Sequence, residues 1–369
     1  MSFRTRLAPL VASVTIVAGS HPALASQIVP NAPKPPAGEK TGDATSDSSS
    51  AGISGLLAAG SRPVQVATGF RFTEGPAADE MGRLHFVDVP SGRVLRLKRS
   101  ELTAEHASDN SEDVVLNNGA CFGLAFTADG RLLATQGGSG NGALIEIDRK
   151  TKAITILARE LLVDGEAIPF GRVNDLAVDA EGGVYFTDPS LGRTPSRTRG
   201  ILYRAKDGTV RRVDESISAP NGVRLSADGK TLFALSYADP GVYRFAVTGP
   251  GALGKAERFG ELVGRDGVTP RGRGDGFAID ERGNLWCTNP DVAQVQVISP
   301  EGKLLGSVSV PEAPSNCTFG GDDGRTLFIT AIRSVYAIRT EVAGTWPARG
   351  RPMPTENASQ SSEPAAPTR

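Results

Sequence analysis

Short alternating runs of apolar and polar residues recur along the middle of this chain, each pair of runs joined by an acidic-glycine turn. Leu124-Ala-Phe-Thr-Ala-Asp-Gly-Arg-Leu-Leu133 lines up with Leu176-Ala-Val-Asp-Ala-Glu-Gly-Gly-Val-Tyr185. The same figure returns at residues 76–85, 223–232, 277–286 and 318–327. Its turn glycines are Gly82, Gly130, Gly182, Gly229, Gly283 and Gly324, spaced by 48, 52, 47, 54 and 41 residues. Period-two alternation on both sides of a glycine turn predicts a β-hairpin. A repeat near 48 residues leaves room for two more strands per unit, such as residues 142–147 and 153–157. Repeated hairpins at that period point to blades arranged round an axis rather than to an open sandwich. Six copies predict an all-β fold, a six-bladed β-propeller. Residues 64–70 precede the first hairpin and are expected to supply the outer strand of the last blade.

The ends read differently. Residues 1–25 have a basic start at Arg4 and Arg6, an apolar stretch and Ala23-Leu24-Ala25. That is the pattern of a cleaved secretory leader, so an exported, periplasmic or secreted protein is expected. The apolar stretch is too short and interrupted for a comfortable membrane anchor, and no membrane contact is expected after cleavage. Residues 26–61 and 340–369 are rich in Pro, Gly, Ser and Ala and read as a linker and a tail. The propeller is therefore expected over residues 62–339.

Charge and composition narrow the chemistry. With 40 Lys+Arg against 41 Asp+Glu, the chain lacks the basic excess of a nucleic-acid-binding surface. Three cysteines, Cys121, Cys287 and Cys317, allow one disulfide at most and form no CxxC pair. They read as buried structural thiols. Of three histidines, His21 leaves with the leader, His85 occupies a position filled by apolar residues in other repeats, and His106 lies in a variable polar stretch. That scarcity argues against a serine–histidine–aspartate enzyme. The zinc-protease motif, the GxSxG elbow and the DxDxDG calcium loop are all missing from the sequence.

The register singles out a candidate site. Eight residues before each turn glycine stand Glu74, Phe122, Asn174, Asn221, Asp275 and Asn316. In a propeller these fall at one end of the innermost strands, round a common mouth. Five of the six carry side-chain oxygens, and two are carboxylates. A ring of hard oxygen donors suits one divalent cation, calcium (Ca2+) first, with Zn2+ or Mn2+ as alternatives. A hydrogen-bonded network without metal is the competing reading, but buried carboxylates lacking a cation or base are costly. Six residues past the glycine, Asp88, Asp188 and Asn289 return to the same mouth. They either orient the ring or cap strand ends and turns.

These residues resemble the SMP-30/gluconolactonase family of calcium-dependent six-bladed propellers. The resemblance rests on Glu74-Gly-Pro76, Arg172-Val-Asn-Asp175 with Tyr185-Phe-Thr-Asp-Pro189, Ala219-Pro-Asn-Gly222, Gly274-Asp-Gly276 and Asn316-Cys-Thr-Phe-Gly-Gly321. It implies metal ligation by Glu74, Asn221 and Asp275, with Asn174 a further ligand or a neighbour touching substrate. It also implies substrate contact from Arg172, and a general-base role for Asp275. The expected activity is hydrolysis of a small-molecule lactone, with sugar-acid lactones the family's usual class. Loop residues Arg271 and Arg273 could hold substrate hydroxyl or carboxylate groups, although solvated surface charge is the simpler reading. Ala77-Ala78 and Cys121-Phe122 depart from the family pattern and alter the mouth. Phosphotriester hydrolysis on the same cation, and a non-catalytic propeller binding a ligand or protein, are the alternatives.

Overall fold

The computed structural model describes residues 52–98, 108, 110–115, 119–137, 142–190 and 196–346. The expected leader, most of the linker and most of the tail lie outside them. Six antiparallel sheets account for the repeats. Their first two strands are Thr73–Ala78 and Leu84–Asp88 in blade one, Cys121–Phe126 and Leu132–Gln136 in blade two, and Leu176–Val178 and Val184–Asp188 in blade three. Blades four, five and six begin with Pro220–Leu225 and Thr231–Ser236, Phe277–Ile279 and Leu285–Asn289, and Pro314–Gly320 and Thr326–Ala331. The first strands touch one another in blade order, and blade one meets blade six, so they form a closed inner ring.

The repeated turn works as its sequence suggests. All six turn glycines have positive φ, between 69° and 88°, a backbone region that a side chain at Cβ disfavours. An acidic side chain accepts a turn amide in blades one, three, four, five and six, while in blade two Thr127 Oγ1 accepts the Arg131 amide. Asp179 Oδ1, for example, accepts hydrogen bonds from the amides of Glu181 (2.9 Å) and Gly183 (2.7 Å). Asp79 and Asp280 do the same in blades one and five.

The apolar positions pack between blades rather than into one central core. Tyr185, Ile201 and Tyr203 of blade three meet Val223, Leu232 and Phe245 of blade four. Phe233 and Leu235 of blade four meet Phe277, Leu285 and Cys287 of blade five. Each large side chain removed from water contributes about 1.5–3 kcal/mol, so these seams carry most of the stabilisation. The ring closes as expected: Val64–Thr68 pairs with Ser334–Arg339, the third strand of blade six.

At both ends the fold extends beyond the expected 62–339. Ile53, Leu56 and Leu57 are buried in the seam with Trp286, Val308 and Phe319. Val342 and Ala343 are also buried, the Glu341 amide donates to the Leu56 carbonyl, and Trp346 Nε1 donates to the Asp79 carbonyl. The linker therefore gives up its last residues, and the tail its first, to the fold. Composition averaged over each segment hid these few apolar anchors. A hairpin, Glu160–Val163 with Glu166–Pro169, is added between blades two and three. No helix among the described residues is long and apolar enough to cross a membrane.

Candidate active site and metal centre

The five oxygen-bearing residues of the register stand at the same end of the inner strands. Glu74, Asn221, Asp275 and Asn316 are buried, and Asn174 is the most accessible of the five at 9 %. Glycines let the strands converge. A Cβ on Gly276 would fall 1.9 Å from Asn316 Cγ, and one on Gly222 would fall 2.4 Å from the Asp275 carbonyl. Only hydrogen at those positions allows the next blade's ring residue to come so near.

Second-strand hydroxyls sew the ring together. Thr187 Oγ1 accepts the Asp175 amide (3.1 Å) and donates to the Asn221 carbonyl of the next blade (2.7 Å). Thr288 Oγ1 accepts the Gly276 amide and donates to the Ser315 carbonyl (3.0 Å). Thr135 does the same for Gly123 and the Asn174 carbonyl. Asp175 adds a side-chain link, accepting from the Val223 amide and from Arg224 Nη1 at 2.6 Å.

Asp88, Asp188 and Asn289 hold the loops that lead into the ring. Asp88 Oδ1 accepts the amides of Arg71 and Phe72, just ahead of Glu74. Asp188 Oδ2 accepts the Gly171 amide, next to Arg172. Asn289 Nδ2 donates to the carbonyls of Val263 and Arg271, ahead of Asp275. Of the two roles open to them, the contacts are those of loop anchors, each fixing the approach to its own blade's ring residue.

The two carboxylates are electrostatically opposed. Burial raises the Glu74 pKa well above the ordinary carboxylate range, and the Asp275 charge raises it further. The Gly75 amide at 2.8 Å and Asn316 Nδ2 at 3.4 Å offset part of this. Asp275 is pushed up to about 8, first by burial and then by Asp175, against an Asn221 hydrogen bond and the Arg273 charge. Neither residue forms an ion pair among the described residues. Two buried carboxylates facing carboxamides, with no bound countercharge from a side chain, form a donor set that fits a hard divalent cation. No group of three His, Cys, Asp or Glu side chains is arranged to hold a metal among the described residues. Further oxygens would therefore come from Asn side chains and water.

A family model for the SMP-30/gluconolactonase/LRE-like region matches residues 72–333. The chain belongs to this family. A gluconolactonase of Zymomonas mobilis is 27% identical over 307 residues, which cover 77% of this chain and 83% of that one. A pentonolactonase of Haloferax volcanii is 31% identical over 271 residues, covering 72% and 83%. Among solved structures, a gluconolactonase from Xanthomonas campestris superposes with a TM-score of 0.64 at 26% identity, covering 76% of this chain and 90% of its own. A calcium-binding regucalcin from Agrobacterium tumefaciens shares the fold, with a TM-score of 0.61 at 22% identity over 79% and 97% of the two chains.

Against the family's propeller frame, the mouth of this chain has its own lining. The Arg172 guanidinium lies 4.9 Å over the Phe122 ring, which takes the blade-two place in the register. Burial lowers the Arg172 pKa from its ordinary value. Arg273 lies 4.9 Å over the Tyr237 ring and pairs with Asp291 at 2.6 Å, with its side chain still 41 % exposed, in keeping with the surface charge expected of it. Tyr237 went unnoticed in the sequence. It lies one residue past the second strand of blade four, and its phenol pKa is raised by burial and then by Asp275. Its amide donates to the carbonyl of Ala219, two residues before Asn221. His85 is a buried packing residue, edge-on to Phe126 at 5.0 Å, with its imidazole held neutral by burial, at a pKa of about 3. Cys121, Cys287 and Cys317 are buried free thiols, and burial lifts Cys317 to about 12.

Proposed function

We propose that this chain is a metal-dependent lactonase that opens the ring of a sugar-acid lactone. The observation that carries the reading is the opposed pair Glu74 and Asp275, buried among carboxamides at the mouth of a family propeller. The lactonases among its relatives support the substrate class. Glu74, Asn221 and Asp275 would hold the cation, with Asn174 as a further ligand or a substrate contact. Oxygen-only donors favour calcium over zinc or manganese. The ion supplies Lewis-acid polarisation of the lactone carbonyl and the charge that keeps both carboxylates ionised.

The chain's own residues then divide the work. Asp275 takes a proton from water as its oxygen attacks the carbonyl carbon. The ring C–O bond breaks, and the same proton returns to the departing ring oxygen, leaving a hydroxy acid. Arg172, held over the Phe122 ring, orients substrate oxygens with planar donors. Asn221 holds the Asp275 carboxylate in place through its side-chain hydrogen bond. We further infer from residues 1–25 that the protein works outside the cytosol, where calcium is plentiful.

Acid release from a panel of sugar lactones tests this reading, run with calcium, with chelator, and with chelator followed by calcium, zinc or manganese. Turnover should vanish with chelator and return with one ion, and Asp275→Asn should lower kcat by roughly 10²–10⁴-fold. Full activity in chelator, or in Asp275→Asn with metal bound, would contradict the mechanism. Hydrolysis of phosphotriesters but of no lactone would replace the substrate class.

A further inference from the structure

The chain has five tyrosines, and the protein itself holds the hydroxyls of all but one. Tyr203, Tyr243 and Tyr336 donate to Asp179, Asp239 and Glu312, and Tyr185 accepts the Gly251 amide. The hydroxyl of Tyr237 has no hydrogen-bond partner among the described residues, and the residue is only half-buried. A polar group so placed is open to a ligand.

Its backbone is fixed by the segments that deliver the site. The Tyr237 amide donates at 2.9 Å to the carbonyl of Ala219, two residues before Asn221. The amide of Gly274, one residue before Asp275, donates to the Ser236 carbonyl at 2.8 Å. Ser236 and Tyr237 thus lie between the approaches to two residues of the candidate metal centre. Ala219 has a φ of 45°, a left-handed conformation that a Cβ disfavours, and such strain collects at working sites. Past Tyr237 the chain turns at once, with Ser236 Oγ accepting the amides of Ala238 and Asp239 at 3.1 Å each. The guanidinium over the Tyr237 ring, that of Arg273, is itself anchored on Asp291. Burial and then the charges of Asp275 and Glu74 act on the phenol, and the phenol acts in turn on Arg172, so these groups lie within electrostatic reach of one another.

We propose, on the lactonase reading above, that Tyr237 is a specificity-determining residue whose hydroxyl binds a hydroxyl of the sugar lactone. A phenol both donates and accepts a hydrogen bond, as a sugar hydroxyl does, whereas the guanidinium of Arg172 only donates. The reacting carbonyl is served by the cation, and the departing ring oxygen by Asp275. What remains for Tyr237 is a substituent of the lactone ring. The contact is selective because a lactone without that hydroxyl would cover the phenol and leave it unpaired. With its backbone pinned on two sides and its ring beneath Arg273, the side chain has little freedom left to lose on binding.

Tyr237→Phe in the full chain tests the proposal. The variant keeps the ring beneath Arg273 and leaves no protein group unpaired. Its calcium affinity should stay within about two-fold of wild type and its melting temperature within about 1 °C. We compare kcat/KM for the sugar lactone that the wild type opens fastest with that for its counterpart without hydroxyls, δ-valerolactone or γ-butyrolactone. A plain lactone opened too slowly to follow is compared as a competitive inhibitor. The preference for the sugar lactone should fall at least about 10-fold in the variant. An unchanged preference overturns the proposal. So does an equal loss on both lactones, which would place Tyr237 in the chemistry or at the cation instead. A wild type that opens no lactone with any ion overturns the lactonase reading and this proposal with it, and does so before the variant is made.

Discussion

At the scale of single residues, the site depends on positions with no side chain as much as on those with one. Gly276 lets Asn316 stand against the inner strand of blade five, where a methyl would fall 1.9 Å from its Cγ. Gly276→Ala should therefore push Asn316 away from Glu74 and deform the ring without touching a carboxylate. We expect it to weaken cation binding at least about 10-fold and to cost about 1–3 kcal/mol of stability, as overpacked sites do. Calorimetric titration and a denaturant melt check the two effects, and wild-type values for both would mean the strands have more room than the geometry allows. The ring residues themselves were legible because a fixed offset from six turn glycines exposes them. The glycines that follow them stood in plain view beside the motifs, but a close approach between blades has no signature in one chain. Tyr237 escaped for a related reason: it lies past the end of a strand, where the repeat no longer constrains residue type.

At the scale of elements, hairpins and blades follow from alternation and turn chemistry, and closure follows from what is left over. Val64–Thr68 had no partner in its own repeat, and it completes blade six. Val66 is 1 % exposed in the seam that joins blade six to blade one through Phe70, Phe86 and Val335. Val66→Asp would leave an unpaired charge in that seam and should cost at least about 3 kcal/mol. Because the ring closes there, the loss should appear as one lower, cooperative melting transition. An unchanged melt would show that the closing strand contributes little. The ends of the fold were harder to read. Ile53, Leu56, Leu57 and Trp346 are isolated apolar residues in Pro- and Ser-rich surroundings, and their value comes wholly from surfaces on blades five, six and one. The threonines that stitch blade to blade were also missed. Thr135, Thr187 and Thr288 look like ordinary strand formers until the next blade's carbonyl is seen beside them.

At the scale of the whole molecule, six blades bring two carboxylates from distant parts of the chain to one axis. The fold was readable from periodicity, and the family follows from ordered motifs spread over residues 72–333. The energetic consequence of convergence was not readable, because it depends on burial and on how near the charges lie. In the folded protein Asp275 titrates at about 8 and Glu74 well above the ordinary carboxylate range, while unfolded they titrate normally. Between those limits the metal-free folded state binds more protons than the unfolded state, so its stability falls as pH rises from about 4 towards 8. A cation must displace the same protons. The most direct measurement is calorimetric titration of chelator-treated protein with calcium at pH 7, in two buffers of different ionisation enthalpy. One ion per chain and release of more than about one proton per ion are expected, with binding lost in Glu74→Gln. Binding without proton release, or no binding by the wild-type chain, would contradict the claim that Glu74 and Asp275 form a cation site.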